Sequence, residues 1–90
     1  MDIADERDLL AAARGGDERA FGHLVDRHRR GLELYCCLML GCPHEGKDAL
    51  HETVLRAWRG LERVEPSASA RTWLYRIATD TCLEGLDRDR

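Results

Sequence analysis

HEGKDALHETVLRAWRGLERVEPSASARTWLYRIATDTCL, residues 44–83, holds two apolar patterns separated by a polar loop, and neither shows the alternation of a strand. In the first, Leu50, Val54, Ala57, Trp58 and Leu61 recur at intervals of three and four. That spacing lines one side of a helix predicted over roughly Glu45–Glu62. Pro66 and the flanking serines mark a loop over Arg63–Ser69, and Ser69 or Ser67 is suited to cap the helix that follows. The second helix is predicted to run to about Leu86, with Leu74, Ile77, Ala78, Thr81 and Gly85 turned inward.

Upstream, Gly41, Cys42 and Pro43 break the chain. Before them a longer helix is predicted from its cap at Asp17 to about Leu40, with Phe21, Leu24, Val25, Leu32, Tyr35, Cys36 and Met39 as its apolar stripe. His28 falls on the same stripe, where a histidine is more often a satisfied, half-buried side chain than a ligand. Gly31 weakens the middle of this helix by about 1 kcal/mol relative to alanine, which packing can offset. Asp5–Arg14 reads as a first helix, with acids in its opening turn and Gly15-Gly16 ending it. Helices, short connections and no strand predict an all-α fold, a small bundle of about four helices. Trp58, Leu61, Leu74 and Ile77 are expected to join the third helix to the fourth. A buried Trp58 would cost about 3–5 kcal/mol on truncation to alanine.

The 90 residues suit one domain, residues 1–90, and not two. Their formal net charge is −3, from 17 acidic and 14 basic residues. A freestanding duplex-DNA binder normally carries a basic surplus, because counterion release at phosphates supplies much of its affinity. The deficit favours docking on a basic protein surface. With no apolar run of membrane-spanning length and no signal-peptide core, a soluble cytoplasmic protein without a membrane partner is expected.

Four cysteines are present, Cys36, Cys37, Cys42 and Cys82. Neighbours on a helix point about 100° apart, so Cys36 and Cys37 do not easily bridge each other. Without a secretory context they read as reduced, small core residues with no chemical role. Cys37, Cys42, His44 and His51 match no standard structural zinc spacing, so neither a metal nor a cofactor is expected. No nucleophile–base pair or glycine-rich phosphate loop supports an enzyme.

The run through Asp48, Glu52, Thr53, Leu55, Arg56, Ala57, Trp58 and Arg59, followed by Trp73, Leu74, Tyr75, Arg76, Ile77 and Ala78, resembles the second conserved region of bacterial sigma factors of the sigma-70 superfamily. RGGDERAFGHLVDRHR, residues 14–29, resembles the opening helices of the small, extracytoplasmic-function type. The resemblance covers nearly the whole chain. It implies that the third helix docks on the clamp helices of the largest subunit of core RNA polymerase, through Asp48, His51, Glu52, Leu55, Arg56 and Arg59. Asp48, Glu52 and Arg59 share one line on that helix, with His51, Leu55 and Arg56 beside it. Taken without the resemblance, the line is a solvated face with internal pairs such as Glu52–Arg56, each contributing a few tenths of a kcal/mol. His51 stands where the family has glutamine, and Gly46 and Lys47 stand where it has alanine and an acid.

The resemblance further implies that the loop and fourth helix melt promoter DNA and capture a flipped base of the minus-ten element, through Arg63, Ser67, Arg71, Trp73, Arg76 and Asp80. Trp73, Arg76 and Asp80 share a helix face, where a ring stacks on unpaired bases and a guanidinium meets phosphate. Trp73 reads equally as an anchor packing its helix onto the bundle. Several positions depart from the family pattern. Val64 replaces phenylalanine, Glu65 a basic or small polar residue, Pro66-Ser67 an arginine-glycine type pair, and Asp80 an asparagine. Asp80 offers phosphate an acceptor in place of a donor. From Arg63 to Arg90, the five arginines at 63, 71, 76, 88 and 90 are balanced by the five acids at 65, 80, 84, 87 and 89. Neutrality gives poor footing on single-stranded DNA, so promoter DNA is expected to bind weakly to the isolated domain. An anti-sigma factor is a further implied partner. The family's second DNA-reading domain is not among these residues.

Three readings follow: an initiation domain, a sigma-like regulatory or decoy module without promoter recognition, and an unrelated helical interaction domain. Polymerase binding separates the last from the others, and promoter opening separates the first two.

Overall fold

Aspartates start the first two helices of the computed structural model, which describes residues 5–65 and 68–88. Asp5 accepts from the Arg7 N–H at 3.2 Å and opens α1, Glu6–Arg14. Asp17 accepts from the N–H groups of Arg19 and Ala20 at 3.0 and 3.1 Å and opens α2, Glu18–Leu40. Each carboxylate satisfies donors that the first helical turn cannot pair internally. Gly41, at φ 70°, adopts the left-handed conformation that closes α2, its N–H donating to the Cys37 carbonyl at 2.8 Å.

Helix α3 spans Pro43–Arg59 and begins two residues before the periodicity suggested, because proline at the first helical position forfeits no hydrogen bond. It stops at Gly60, and a 3-10 turn over Leu61–Arg63 carries the chain onward. Helix α4 spans Ala70–Arg88. Of the two serines suited to cap it, Ser69 accepts from the Thr72 N–H at 3.3 Å. Ser67, also expected at DNA, lies outside the described residues together with Pro66. The described residues are helical with no strand, and α2 packs against each of α1, α3 and α4. Its buried Leu24, Val25, Leu32 and Cys36 meet Leu10 and Ala13 of α1, Ala57 of α3, and Leu74, Ala78 and Cys82 of α4 in one core.

The inner face of α3 differs from the expected stripe. Its buried residues are Gly46, Ala49, Leu50, Thr53 and Ala57, nearly all small. Val54 is half-buried, and Trp58 remains 37% exposed at the rim. The Trp58 ring lies 5.1 Å from the Phe21 ring, tilted by 58°, so it joins α3 to α2. Small residues win the interior because α2 passes close by. A Cβ on Gly46 would lie 2.7 Å from the Cys37 Cα and 2.8 Å from its nitrogen. Thr53 is tolerated there because its hydroxyl donates to the Ala49 carbonyl at 2.7 Å. With the ring partly solvated, Trp58→Ala is expected to cost about 1–2 kcal/mol and not 3–5, by area and aromatic-pair arguments. Chemical denaturation checks this, and a loss above about 3 kcal/mol would place the ring in the core.

On α4, Leu74, Ala78 and Thr81 point inward as expected, while Ile77 and Gly85 are half-buried and Cys82 takes an inner position instead. The hydroxyl of Tyr75 sits over Gly31, where a Cβ would strike it, so α4 occupies the space left by the mid-helix glycine. Tyr35 and Thr79 hydroxyls pair at 2.6 Å beside an edge-on Tyr35–Tyr75 contact at 5.3 Å. His28, half-buried, lies with Nε2 3.0 Å from Glu6 Oε2 and ties α2 to α1.

All four cysteines are free. Burial, reinforced by a hydrogen bond with Cys82, pushes the Cys36 thiol up to about 12, and burial also raises Cys82. Alkylation at pH 8 is therefore expected to modify the half-buried Cys37 and Cys42 well before Cys36 and Cys82, because the thiolate is the nucleophile. Peptide mass mapping with Cys36 among the first sites would show that the core opens. Among the described residues, no three His, Cys, Asp or Glu side chains gather to hold a metal ion, and no helix is long and apolar enough to cross a membrane.

Candidate functional site

Turning the small face of α3 inward leaves its other side to solvent. Asp48, His51, Leu55 and Arg59 are exposed there at spacings of three and four, with Leu55 48% exposed. Trp58 borders the same side. His44 Nε2 approaches Asp48 Oδ2 only to 4.0 Å between two well-solvated side chains, an arrangement that contributes little.

Glu52 and Arg56 lie at the edge of this face, toward α4. Arg56 Nε donates to Glu52 Oε2 at 3.0 Å. Its terminal nitrogens donate to the two oxygens of Glu84 on α4, at 2.7 and 3.1 Å. The fork raises the Arg56 pKa, chiefly through Glu84 and then Glu52, and the same guanidinium holds the Glu84 carboxyl below its usual range. Four of the six residues expected at the polymerase, Asp48, His51, Leu55 and Arg59, are therefore exposed, while Glu52 and Arg56 are half-buried and paired with each other. Glu84 was not anticipated. Its partner stands 28 positions away, and no spacing rule along one helix connects them. Between α3 and α4, beside the end of α2, runs an open groove of about 690 Å³ whose lining includes Leu40, Ala49, Glu52, Arg56 and Glu84.

A separate groove of about 410 Å³ lies between the 3-10 turn and the start of α4. Arg63, Val64, Glu65, Ser69, Trp73 and Arg76 are among its lining residues, and it shares none with the first groove. Of the residues expected at DNA, Arg63, Trp73 and Arg76 are brought together here. Trp73 packs against the core, as its anchor reading expects, and also borders the groove. Val64 is buried and helps to shape the wall. Arg71 turns elsewhere, its guanidinium 5.3 Å from the Tyr75 ring centre. Asp80 is exposed and does not line the groove. Thr72 and Ser69 add hydroxyls that periodicity did not single out.

A family model described as Sigma-70 region 2 matches residues 24–90. The chain is 43% identical over 76 residues to the ECF RNA polymerase sigma factor SigG of Mycobacterium tuberculosis, a match covering 82% of this chain and 20% of that protein. It is 32% identical over 75 residues to SigW of Bacillus subtilis, covering 83% of this chain and 40% of that protein. An NMR structure of an engineered region 2 of sigmaE in complex with GTAAAA superimposes with a TM-score of 0.89 at 26% identity, covering 98% of this chain and 93% of that one. CnrH in complex with the cytosolic domain of CnrY superimposes with a TM-score of 0.82 at 32% identity, covering 88% of this chain and 51% of that one. The chain belongs to the Sigma-70 region 2 family. It spans between 20% and 40% of the length of SigG and SigW.

Proposed function

We propose that this chain is the region-two module of an ECF-type sigma factor, docking on the clamp helices of core RNA polymerase through α3 and meeting minus-ten promoter DNA through the groove at the start of α4. The observation that carries the docking half is the outward line of Asp48, His51, Leu55 and Arg59, with Glu52 at its edge. Carboxylates beside an exposed leucine suit a basic, grooved helical partner. The DNA half is supported by the groove that unites Arg63, Trp73 and Arg76, and by the likeness to a region 2 bound to GTAAAA. Glu65 in that groove and Asp80 beyond it oppose phosphate, so polymerase is the principal partner of the isolated domain and DNA binds weakly. An anti-sigma factor is a further partner in this proposal, and the complex of CnrH with the cytosolic domain of CnrY supports a protein partner for this fold. The module acts in the bacterial cytoplasm and is not an enzyme. The decoy reading is not favoured, because the relatives named above are sigma factors.

Calorimetric titration against the isolated clamp-helix fragment, beside a gel shift with single-stranded promoter DNA, tests both halves. Reversing Asp48 and Glu52 to lysine is expected to weaken clamp binding by more than about 1.5 kcal/mol, the scale of close interfacial charge pairs. Trp73→Ala and Arg76→Ala are expected to leave clamp binding nearly intact and reduce capture of the non-template strand. Tight DNA binding with no clamp binding would overturn the assignment.

A further inference from the structure

We propose that Glu84 is a positioning residue for the docking face of α3: from α4 it holds the Arg56 guanidinium in a fork, keeping that cation off the face and leaving α3 acidic toward a basic partner. The inference rests on the docking reading above. Three donors of Arg56 are engaged, Nε by Glu52 at 3.0 Å and the two terminal nitrogens by Glu84 at 2.7 and 3.1 Å. The bidentate half of this arrangement comes from α4, across the groove of about 690 Å³. Without it, the long Arg56 side chain would be free to lie further along α3, where Glu52 already accepts from its Nε and Asp48 is the next anion of the face. There it would neutralise the carboxylates that a partner's cations need, and repel those cations itself.

The charges make the expected effect specific. Asp48, Glu52 and Glu84 against Arg56 and Arg59 sum to −1, counting three acids and two bases. Glu84→Gln leaves 0 with a mobile cation. Adding Arg56→Gln returns the sum to −1, from Asp48 and Glu52 against Arg59. The fork is largely solvated, with side-chain exposures of 32% for Arg56 and 57% for Glu84, so it steers the electrostatics of the face more than it stabilises the fold.

The experiment is a titration of the full chain and its variants against the clamp-helix fragment at low and raised salt. Glu84→Gln is expected to bind about five-fold more weakly at low salt, with the gap closing as salt screens the charges. Its thermal midpoint is expected to move little, by about 1 °C, as for an exposed pair. The double variant Arg56→Gln, Glu84→Gln is expected to recover to within about two-fold of the unmodified chain, because the two sites are coupled. A double variant no tighter than Glu84→Gln, or a Glu84→Gln chain that binds like the parent, would overturn the role. Side-chain NMR of the free chain reads the fork without any partner. Rotation about the Arg56 Nε–Cζ bond should be hindered and become free in Glu84→Gln. The Arg56 guanidinium, with Arg88 adding to it, holds the Glu84 carboxyl below its usual range, so the fork is lost only as pH falls through that depressed value. A freely rotating Arg56 in the parent chain sinks the inference directly. Absence of clamp binding with an intact fork marks failure of the docking reading, and the positioning role falls with it.

Discussion

Leu74→Ala is expected to lower the stability of the domain by about 2–5 kcal/mol, the range for emptying a leucine site in a closed core. Leu74 is fully buried in the cluster where α2 and α4 meet, alongside Leu24, Leu32 and Ala78. The surrounding core draws residues from every helix of the bundle, so the space left behind cannot close by moving one side chain. Domains of this size hold about 5–15 kcal/mol in total, and a loss at the upper end leaves a large unfolded fraction at 37 °C. Leu83 supplies the comparison, being on the same helix but 48% exposed. Leu83→Ala is expected to change stability by no more than about 0.5 kcal/mol. Urea denaturation of the two variants reads the difference. Equal losses would mean that α4 is rotated about its axis from the orientation described.

Gly46→Ala is expected to destabilise by about 1–3 kcal/mol, although alanine favours a helix by about 1 kcal/mol over glycine. The two effects have opposite sign, and geometry decides between them. The added Cβ would meet backbone atoms of Cys37, at 2.7 Å from Cα and 2.8 Å from nitrogen, as well as its sulfur. Backbone in the last turn of α2 cannot swing aside as a side-chain tip can, so the two helices must part where they meet beside the turn at Gly41. Gly31→Ala is the useful contrast, because the obstacle there is the hydroxyl end of the Tyr75 side chain. That tip can move, so the cost is expected to be smaller, within about 1 kcal/mol after the propensity gain. Melting curves of both variants provide the check. A stabilised Gly46→Ala chain would show that the helices are further apart than described.

Much of the helix pattern was legible along the chain because its causes are local. A capping carboxylate at Asp17, a left-handed glycine at Gly41 and a serine at Ser69 act on groups within four residues. The apolar stripes of α2 and α4 follow from the pitch of a helix. The family was legible for the same reason, since the two motif blocks at Asp48–Arg59 and Trp73–Ala78 are contiguous text. The rotation of α3 was not. Periodicity allows Trp58 or Thr53 on the inner side, and hydrophobicity alone chooses the tryptophan. Packing chose the smaller residues, because Gly46 against Cys37 brings α2 too near for a large ring between the helices.

The two functional faces divide in the same way. Which residues α3 and α4 carry, and that an acidic line and an aromatic–arginine line exist, was set by the order of amino acids. Whether each side chain faces outward or is engaged within the chain was decided by the packing of α3 on α4. That packing gathered Arg63, Trp73 and Arg76 around one groove. It also matched Arg56 to Glu84 across 28 positions. Such pairings need distances between helices, and those depend on the summed fit of buried side chains throughout the bundle.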